Sequence, residues 1–324
     1  MQGRDKMEAL FVGTDVSKTQ LDVHLRPLGE MFTVSRDAAG VEALIARLAP
    51  LGVTLIGVEA TGGFETIVVA GLAAAGMPVV VVNPAQVRSF ADALGKRAKT
   101  DPIDAAVIAH FVDATRPDIR PLPDEDTRLL SDLIARRKQI VEMIGAERQR
   151  ERRATNTLMK KSIARLLKAL DKELASLDRS LDDSVRGSPA WRAKEDLLVT
   201  VPGIGKTIAR TLIADMPELG TLDRRQIAAL AGLAPYTRQS GQWRGKSFIG
   251  GGRCAVRAAL FVGALVASKH NPVLREFRDR LVAAGKSKIV AIVAVARKLF
   301  TIINAMVRDG RAWTAEQAHA KASI

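Results

Sequence analysis

Four carboxylates stand where they could do chemistry together. Asp15 ends the apolar run ALFVGTDV, Glu59 ends TLIGVEA just before Thr-Gly-Gly, and Asp101 and Asp104 lie three apart in KTDPIDA. A carboxylate closing an apolar strand is costly unless a charge or a donor meets it. Positions three apart share one face of a helix. Oxygen donors of this kind suit a hard cation such as Mg²⁺ or Mn²⁺, and two ions about 3.5–4 Å apart clamp a phosphodiester during in-line displacement. Plainer readings exist for each acid. Asp101 fits an N-cap ahead of Pro102, and Asp104 a first-turn carboxylate favoured by the helix dipole. Asp15 fits a turn, and Glu59 a satisfied buried acid. Those readings are compatible with metal binding. The set of four, in this order and spacing, favours it, with Asp15, Glu59, Asp101 and Asp104 as ligands of one or two ions.

Two further stretches carry polar chemistry. LLVTVPGIGKTIARTL, residues 197–212, resembles a phosphate loop, but that pattern needs glycine where Thr200 stands, which excludes a nucleotide site. A helix–hairpin–helix turn fits better, with Gly203 and Gly205 allowing close approach to a phosphate and Lys206 opening a helix whose N–H groups face it. A plain Gly-rich connection is the alternative. In GLAPYTRQSGQWRGKSFIGGGRCAVRAAL, residues 232–260, Ser240 sits among Arg238, Arg244, Lys246 and Arg253. Serine is a weak nucleophile without activation, and none of the 4 histidines falls in this stretch. Arginines beside a serine suit a phosphate target, because they stabilise charge that develops on it. By spacing alone, a loop serine that merely contacts phosphate is the simpler reading.

The elements that must position these residues divide the chain in three. Residues 8–120 read as three strands, then helix–strand–helix–strand–helix–helix, a mixed sheet flanked by helices. Residues 124–187 follow a proline-rich linker and read as two long helices. Ile163, Leu167, Leu170, Leu174, Leu177 and Leu181 form a heptad seam for a hairpin or an oligomerisation arm. Between Arg128 and Lys168 stand 12 Lys/Arg against 4 Asp/Glu, a solvated face or one that runs along phosphates. Residues 190–310 are Ala-rich and helical, broken by glycine-rich turns.

The 324 residues carry a net charge of +14 with a pI near 10.2, which points to a polyanionic partner such as nucleic acid. The start, MQGRDKMEAL, has no apolar signal core. The longest apolar run, Ile67 to Val82, is broken by two glycines and a proline, so a cytoplasmic protein without a membrane span is expected. The lone Cys254 excludes internal disulfides. Only 4% of residues are aromatic, which argues against a broad base-stacking platform.

Taken together, GTDVSK, GVEATGG, KTDPIDA, VPGIGKTIA and FIGGGRCAVRAAL resemble the DEDD-type transposases of bacterial insertion sequences. That family also includes pilin-gene invertases and bridge-RNA-guided recombinases. The likeness runs from about residue 9 to residue 300, and the joint order of the motifs is far more specific than any one of them. It implies a RuvC-like, RNase H-fold first domain and metal binding by Asp15, Glu59, Asp101 and Asp104. It also implies a serine in the last domain that forms a covalent phosphoserine link to DNA. That serine matches Ser240, although a stretch one residue shorter after Gly241 leaves Ser247 as the other choice. The same resemblance implies a structured non-coding guide RNA, double-stranded donor and target DNA, and a dimer or tetramer in which the catalytic parts meet across subunits. A bacterial, nucleoid-associated location follows from it.

Competing readings fare worse. A Holliday-junction-type nuclease would use the same acids with water and leave Ser240 idle. An actin-like sugar or acetate kinase needs a second Asp-Gly phosphate turn that is missing here. A non-catalytic nucleic-acid-binding protein does not explain acids in a basic groove, which repel phosphate unless metal lies between.

Overall fold

The apolar runs at the start of the chain close into one five-stranded sheet in the computed structural model, which describes residues 9–96, 101–119, 124–237, 239–241, 243–245 and 247–314. The chain separates into two compact units, Met1–Leu122 and Pro123–Ile324.

In the first unit, β1 (Phe11–Val16), β2 (Gln20–Arg26) and β3 (Glu30–Ser35) form an antiparallel meander. After α1 (Ala38–Leu48) comes β4 (Leu55–Glu59), then α2 (Thr66–Ala74), β5 (Val79–Val82), α3 (Pro84–Ala93) and α4 (Asp101–Thr115). The sheet order is β3-β2-β1-β4-β5, with β1, β4 and β5 parallel. This mixed sheet with helices on both faces is consistent with a RuvC-like domain. Side chains alternate across it, as the period of two requires. Val12, Val16, Leu21, Val23, Leu25, Ile56 and Val58 pack with α1 and α2. Phe11, Leu55, Val80 and Val82 pack with α3 and α4 on the other face. Local chemistry starts the helices where they begin. Asp37 accepts from the Gly40 N–H at 2.8 Å, and Asn83 from the Ala85 N–H at 2.8 Å ahead of Pro84.

Two glycines set how α4 lies. A Cβ on Gly13 of β1 would overlap the Ala105 carbonyl oxygen and the Ala109 backbone nitrogen, and one on Gly57 of β4 would meet Val112 and Ile108. Helix backbone therefore rests almost directly on strand backbone. Arg26, at the far end of β2, pairs with Asp113 at 2.8 Å, and Arg116 lies over the Phe11 ring. The late residues of α4 thus cover the N-terminal end of β1, and the turn from Ala105 to Ala109 lies on Gly13 in its middle.

In the second unit, α5 (Glu125–Arg153) and α6 (Thr157–Gly187) form an antiparallel hairpin. The heptad seam packs within the chain. Leu167, Leu170, Leu174 and Leu177 meet Leu133, Ile140 and Ile144. Arg137, the charge inside the α5 stripe, reaches Asp178 at 2.6 Å. Leu130, Leu181 and Val185 join the core of the following helices, so the hairpin is continuous with them. Those are α7 (Pro189–Val199), α8 (Lys206–Asp215), α9 (Arg224–Leu230), α10 (Cys254–His270), α11 (Pro272–Ala283) and α12 (Lys288–Asp309). The sequence pattern does not reveal four two-residue strands between α9 and α10: β6 (Pro235–Tyr236), β7 (Gln239–Ser240), β8 (Trp243–Arg244) and β9 (Phe248–Ile249). Two residues are too few for any periodicity. By length and composition, α12 resembles a membrane span that the sequence reading did not single out. Its apolar face is the core of the unit, with Ala291, Val295, Leu299, Phe300 and Ile303 fully buried.

Replacing Gly13 by alanine is expected to destabilise the first unit by about 1–3 kcal/mol through overpacking. Hydrogen exchange should quicken in β1 and α4 and stay unchanged in α10 and α12. Unchanged protection of α4 would contradict direct backbone contact.

Candidate active site

Asp15 and Glu59 reach the same end of the same face. Asp15 lies two residues beyond Gly13 and Glu59 two beyond Gly57, so both share the face against which α4 packs. The parallel register pairs Thr14 with Val58, which puts the two acids on neighbouring strands one step further along. Asp104 immediately precedes Ala105, whose carbonyl faces Gly13, and Asp101 begins the helix one turn earlier. Asp101 is the first helical residue rather than the residue before it, and its side chain lies outside the described residues. Asp15, Glu59 and Asp104 are each half-buried.

The sequence reading missed a fifth acid. Asp22 of β2 is the direct antiparallel partner of Asp15, so both side chains stand on the α4 face. It is 7% exposed and accepts from Thr33 Oγ1 at 2.7 Å and Gln20 Nε2 at 3.1 Å. The signal was present as an acid inside TQLDVHL, whose alternation was used only to find a strand. Beyond Glu59, the Glu65 carboxylate accepts from the backbone N–H groups of Gly63 at 2.8 Å and Thr61 at 3.1 Å and shapes the Thr-Gly-Gly turn. Burial pushes Glu65 up, but those hydrogen bonds outweigh it and hold the group below its ordinary value. His24, paired with Gly13, is held below its ordinary value by burial and then by Arg26 and Lys96, so it is neutral at pH 7 and adds no cation beside the acids.

An all-oxygen donor set is of the kind that a hard divalent ion takes. Among the described residues, no three acid, histidine or cysteine side chains stand together closely enough to hold one.

In the second unit, Ser240 is exposed on β7, directly opposite Trp243 of β8, and Gly241 turns the chain with φ +55°. Ser247 is also exposed, between the strands. Arg238 and Lys246 lie outside the described residues, and Arg244 is described only in its backbone on β8. Arg253 turns inward. It makes a two-pronged ion pair with Glu218 at 2.6 and 2.7 Å and donates to the Asp215 carbonyl at 2.9 Å. That fastens the loop before α10 to the turn after α8, and uses the guanidinium edge that a phosphate would need. β6 and β9 carry the paired rings of Tyr236 and Phe248 at the edge of an open depression of about 390 Å³.

The 197–212 stretch forms α7, a turn and α8, as expected. The glycines serve a different end. Gly203 has φ +102°, and a Cβ there would come within 2.7 Å of the Gly263 carbonyl and 2.8 Å of Ala267, so it lets the turn pack on α10. Gly205 precedes α8 with open space around it. Lys206 is largely exposed and 3.6 Å from Asp182. Asp182 is held below its ordinary value chiefly by its hydrogen bond from Arg210, which also donates to Glu195 at 2.6 Å.

Comparison with known proteins agrees with this division. Residues 12–160 match a transposase family of the DEDD, IS110 type, and residues 195–279 match the transposase IS116/IS110/IS902 family. A pilin gene-inverting protein of Moraxella bovis is 31% identical over 238 residues, 72% of this chain and 73% of that protein. An insertion element IS110 protein of Streptomyces coelicolor is 29% identical over 152 residues, 46% of this chain and 36% of its own length. An insertion element IS900 protein of Mycobacterium paratuberculosis is 31% identical over 156 residues, 45% of this chain and 37% of its own.

A Gly203→Ala chain is expected to melt at lower temperature without any nucleic acid, with a loss of about 1–3 kcal/mol. Normal stability combined with weakened DNA binding would instead return Gly203 to a phosphate-contacting role.

Proposed function

Because this chain belongs to the IS116/IS110/IS902 family of transposases, and so is a DNA recombinase, we propose that it cuts and rejoins DNA by attack of Ser240 on a phosphodiester beside the four-acid site. What supports this reading is backbone placement: Asp15 and Glu59 lie at the C-terminal ends of neighbouring parallel strands, on the face against which α4 packs. Asp15, Glu59, Asp101 and Asp104 would hold Mg²⁺ or Mn²⁺. Bound there, one or two ions would supply Lewis-acid stabilisation of charge on the phosphate.

The protein's own part is as follows. Ser240 Oγ forms a bond to phosphorus, the P–O3′ bond breaks, and the serine proton ends on the departing 3′-oxygen as a hydroxyl. Reversal by another 3′-hydroxyl reseals the strand and frees the serine. The β7–β8 turn presents Ser240 with no acid nearby in sequence to repel the phosphate. Arg238, Arg244 and Lys246 would position that phosphate and balance its charge. Gly205 and Lys206, at the start of α8, would touch the DNA backbone in the manner of a helix–hairpin–helix element. Arg253 supports the loop from within.

Donor and target are double-stranded DNA in this reading, and a structured non-coding RNA guides the choice of site. The basic face of α5 and α6 suits an RNA backbone. The active form is a dimer or tetramer. Leu158 and Met159, 76% and 58% exposed on α6, are available for contact with another subunit.

A covalent-adduct assay tests the reading. The protein, RNA transcribed from the DNA flanking its gene, labelled junction DNA and Mg²⁺ are mixed and then denatured. Wild type should retain label, while Ser240→Ala and Asp15→Ala should lose it at least 100-fold, with salt-sensitive DNA binding little changed. Cleavage without an adduct, indifferent to Ser240→Ala, would show a nuclease that uses water.

A further inference from the structure

The turn of the α5–α6 hairpin joins two features that a water-facing turn does not need. Residues 152–170 hold 6 Lys/Arg and no Asp/Glu. Only Ala154, Thr155 and Asn156 part the two helices. The turn is held firmly. The Ala154 N–H donates to the Arg150 carbonyl at 3.0 Å, and Asn156 accepts from the Leu158 N–H at 2.8 Å as the N-cap of α6. On this support stand two large apolar side chains. Leu158 is 76% exposed, more than any other large apolar residue among the described residues, and Met159 is 58% exposed. Arg152, Arg153, Lys160 and Lys161 flank them and are exposed too. Among the described residues, none of these four has an ion pair. Just before them, by contrast, Arg150 pairs with Glu147 and Arg148 with Asp171.

Neither feature serves the fold. The first turn of a helix favours acids, because its free N–H groups carry partial positive charge. That of α6 has none, and two lysines follow it. Leu158 and Met159 lie outside the apolar seam that closes the hairpin. A cover for them must bring negative charge with it. Exposure alone would also suit a second copy of the chain, but a second copy itself carries a net charge of +14. A polyanion meets the requirement. Proteins that kink DNA insert Leu, Ile, Met or Phe between base pairs from the minor groove, while basic side chains take the phosphates. We propose that the α5–α6 turn is a wedge for duplex DNA. Leu158 and Met159 enter between two neighbouring base pairs from the minor groove, and Arg152, Arg153, Lys160 and Lys161 hold the phosphates on either side. The duplex is kinked at that step, so steps that unstack readily, TA and CA/TG, are favoured. The wedge goes beyond the chemistry of Ser240 and does not depend on it. It uses only the turn, and leaves the length of the hairpin open to other contacts.

Base unstacking tests it. 2-Aminopurine, whose fluorescence rises when it leaves the stack, replaces adenines one at a time along the junction duplex. The full chain is added in EDTA, so that binding is read without cleavage. Fluorescence should rise several-fold at one step or at two adjacent positions. A Leu158→Ala/Met159→Ala chain should lose that rise and keep the salt dependence of binding. A Lys160→Gln/Lys161→Gln chain should instead lower the slope of log affinity against log salt by about 2. All four side chains are exposed, so both variants should melt as the wild type does. No rise at any position with the wild type overturns the proposal, whatever the variants do. A rise that survives the double alanine change overturns it as well. So does a double-alanine chain that sediments as a smaller species without DNA, which would give the turn to a second copy. A rise in an RNA duplex but not in DNA also overturns it. A failed adduct assay with this unstacking intact would remove the chemistry of Ser240 and leave the wedge standing.

Discussion

The first unit depends on one contact: the backbone of α4 lying on the backbone of β1. Gly13 permits it, because any side chain there would overlap Ala105 and Ala109. Gly57, one strand over, makes room for the Ile108 and Val112 side chains of the same helix. Both glycines cost strand stability, since they pack no side chain and lose more backbone freedom on folding than other residues. What they gain is geometric. The helix packs closely on the strands, and the residues two beyond each glycine, Asp15 and Glu59, stand on the face it covers. Asp22 then stands opposite Asp15. Like charges directly across a ladder repel, and hydrogen bonds from Thr33 and Gln20 satisfy Asp22 without supplying a positive charge.

In the second unit, glycines and one half-buried ion pair do comparable work for a small irregular element. Gly252 and Gly232 lie so close that a Cβ on either would strike the other's loop, and Arg253 clamps the same loop to Glu218. Two-residue strands have little stability of their own. A rigid helical frame beneath them lets Ser240 and the aromatic pair sit on the surface without a local core. The family relationship carries the function as DNA recombination, and these contacts suggest how so slight a hairpin holds its position.

Most of the first unit was legible in the sequence because its signals are long. Short apolar runs gave β1, β4 and β5, and alternation gave β2 and β3. Asp15, Glu59, Asp101 and Asp104 could be picked out because an acid ending an apolar strand, or opening a helix beside proline, is conspicuous. Asp22 was missed because its strand partner cannot be known before the register is. The heptad seam left a hairpin and an oligomer arm equally open, and Arg137 paired with Asp178 settles it as a hairpin within the chain. Glycine was harder to read. Gly203 suggested a phosphate, yet its neighbours are Gly263 and Ala267, because close approach to a helix and close approach to a ligand ask the same of a residue. Arg253 presents the same difficulty, since its partner Glu218 lies 35 residues away.

The proposed ion site joins acids on three separate elements, β1, β4 and α4. Fe²⁺ in place of Mg²⁺, with ascorbate and peroxide, cuts a protein backbone close to where the ion binds. The wild-type chain should be cut in residues 13–16, 57–61 and 101–105 together, excess Mg²⁺ should suppress all three cuts, and Asp15→Asn should lose all three at once. Cuts confined to one segment, or indifferent to Mg²⁺, would contradict a shared site.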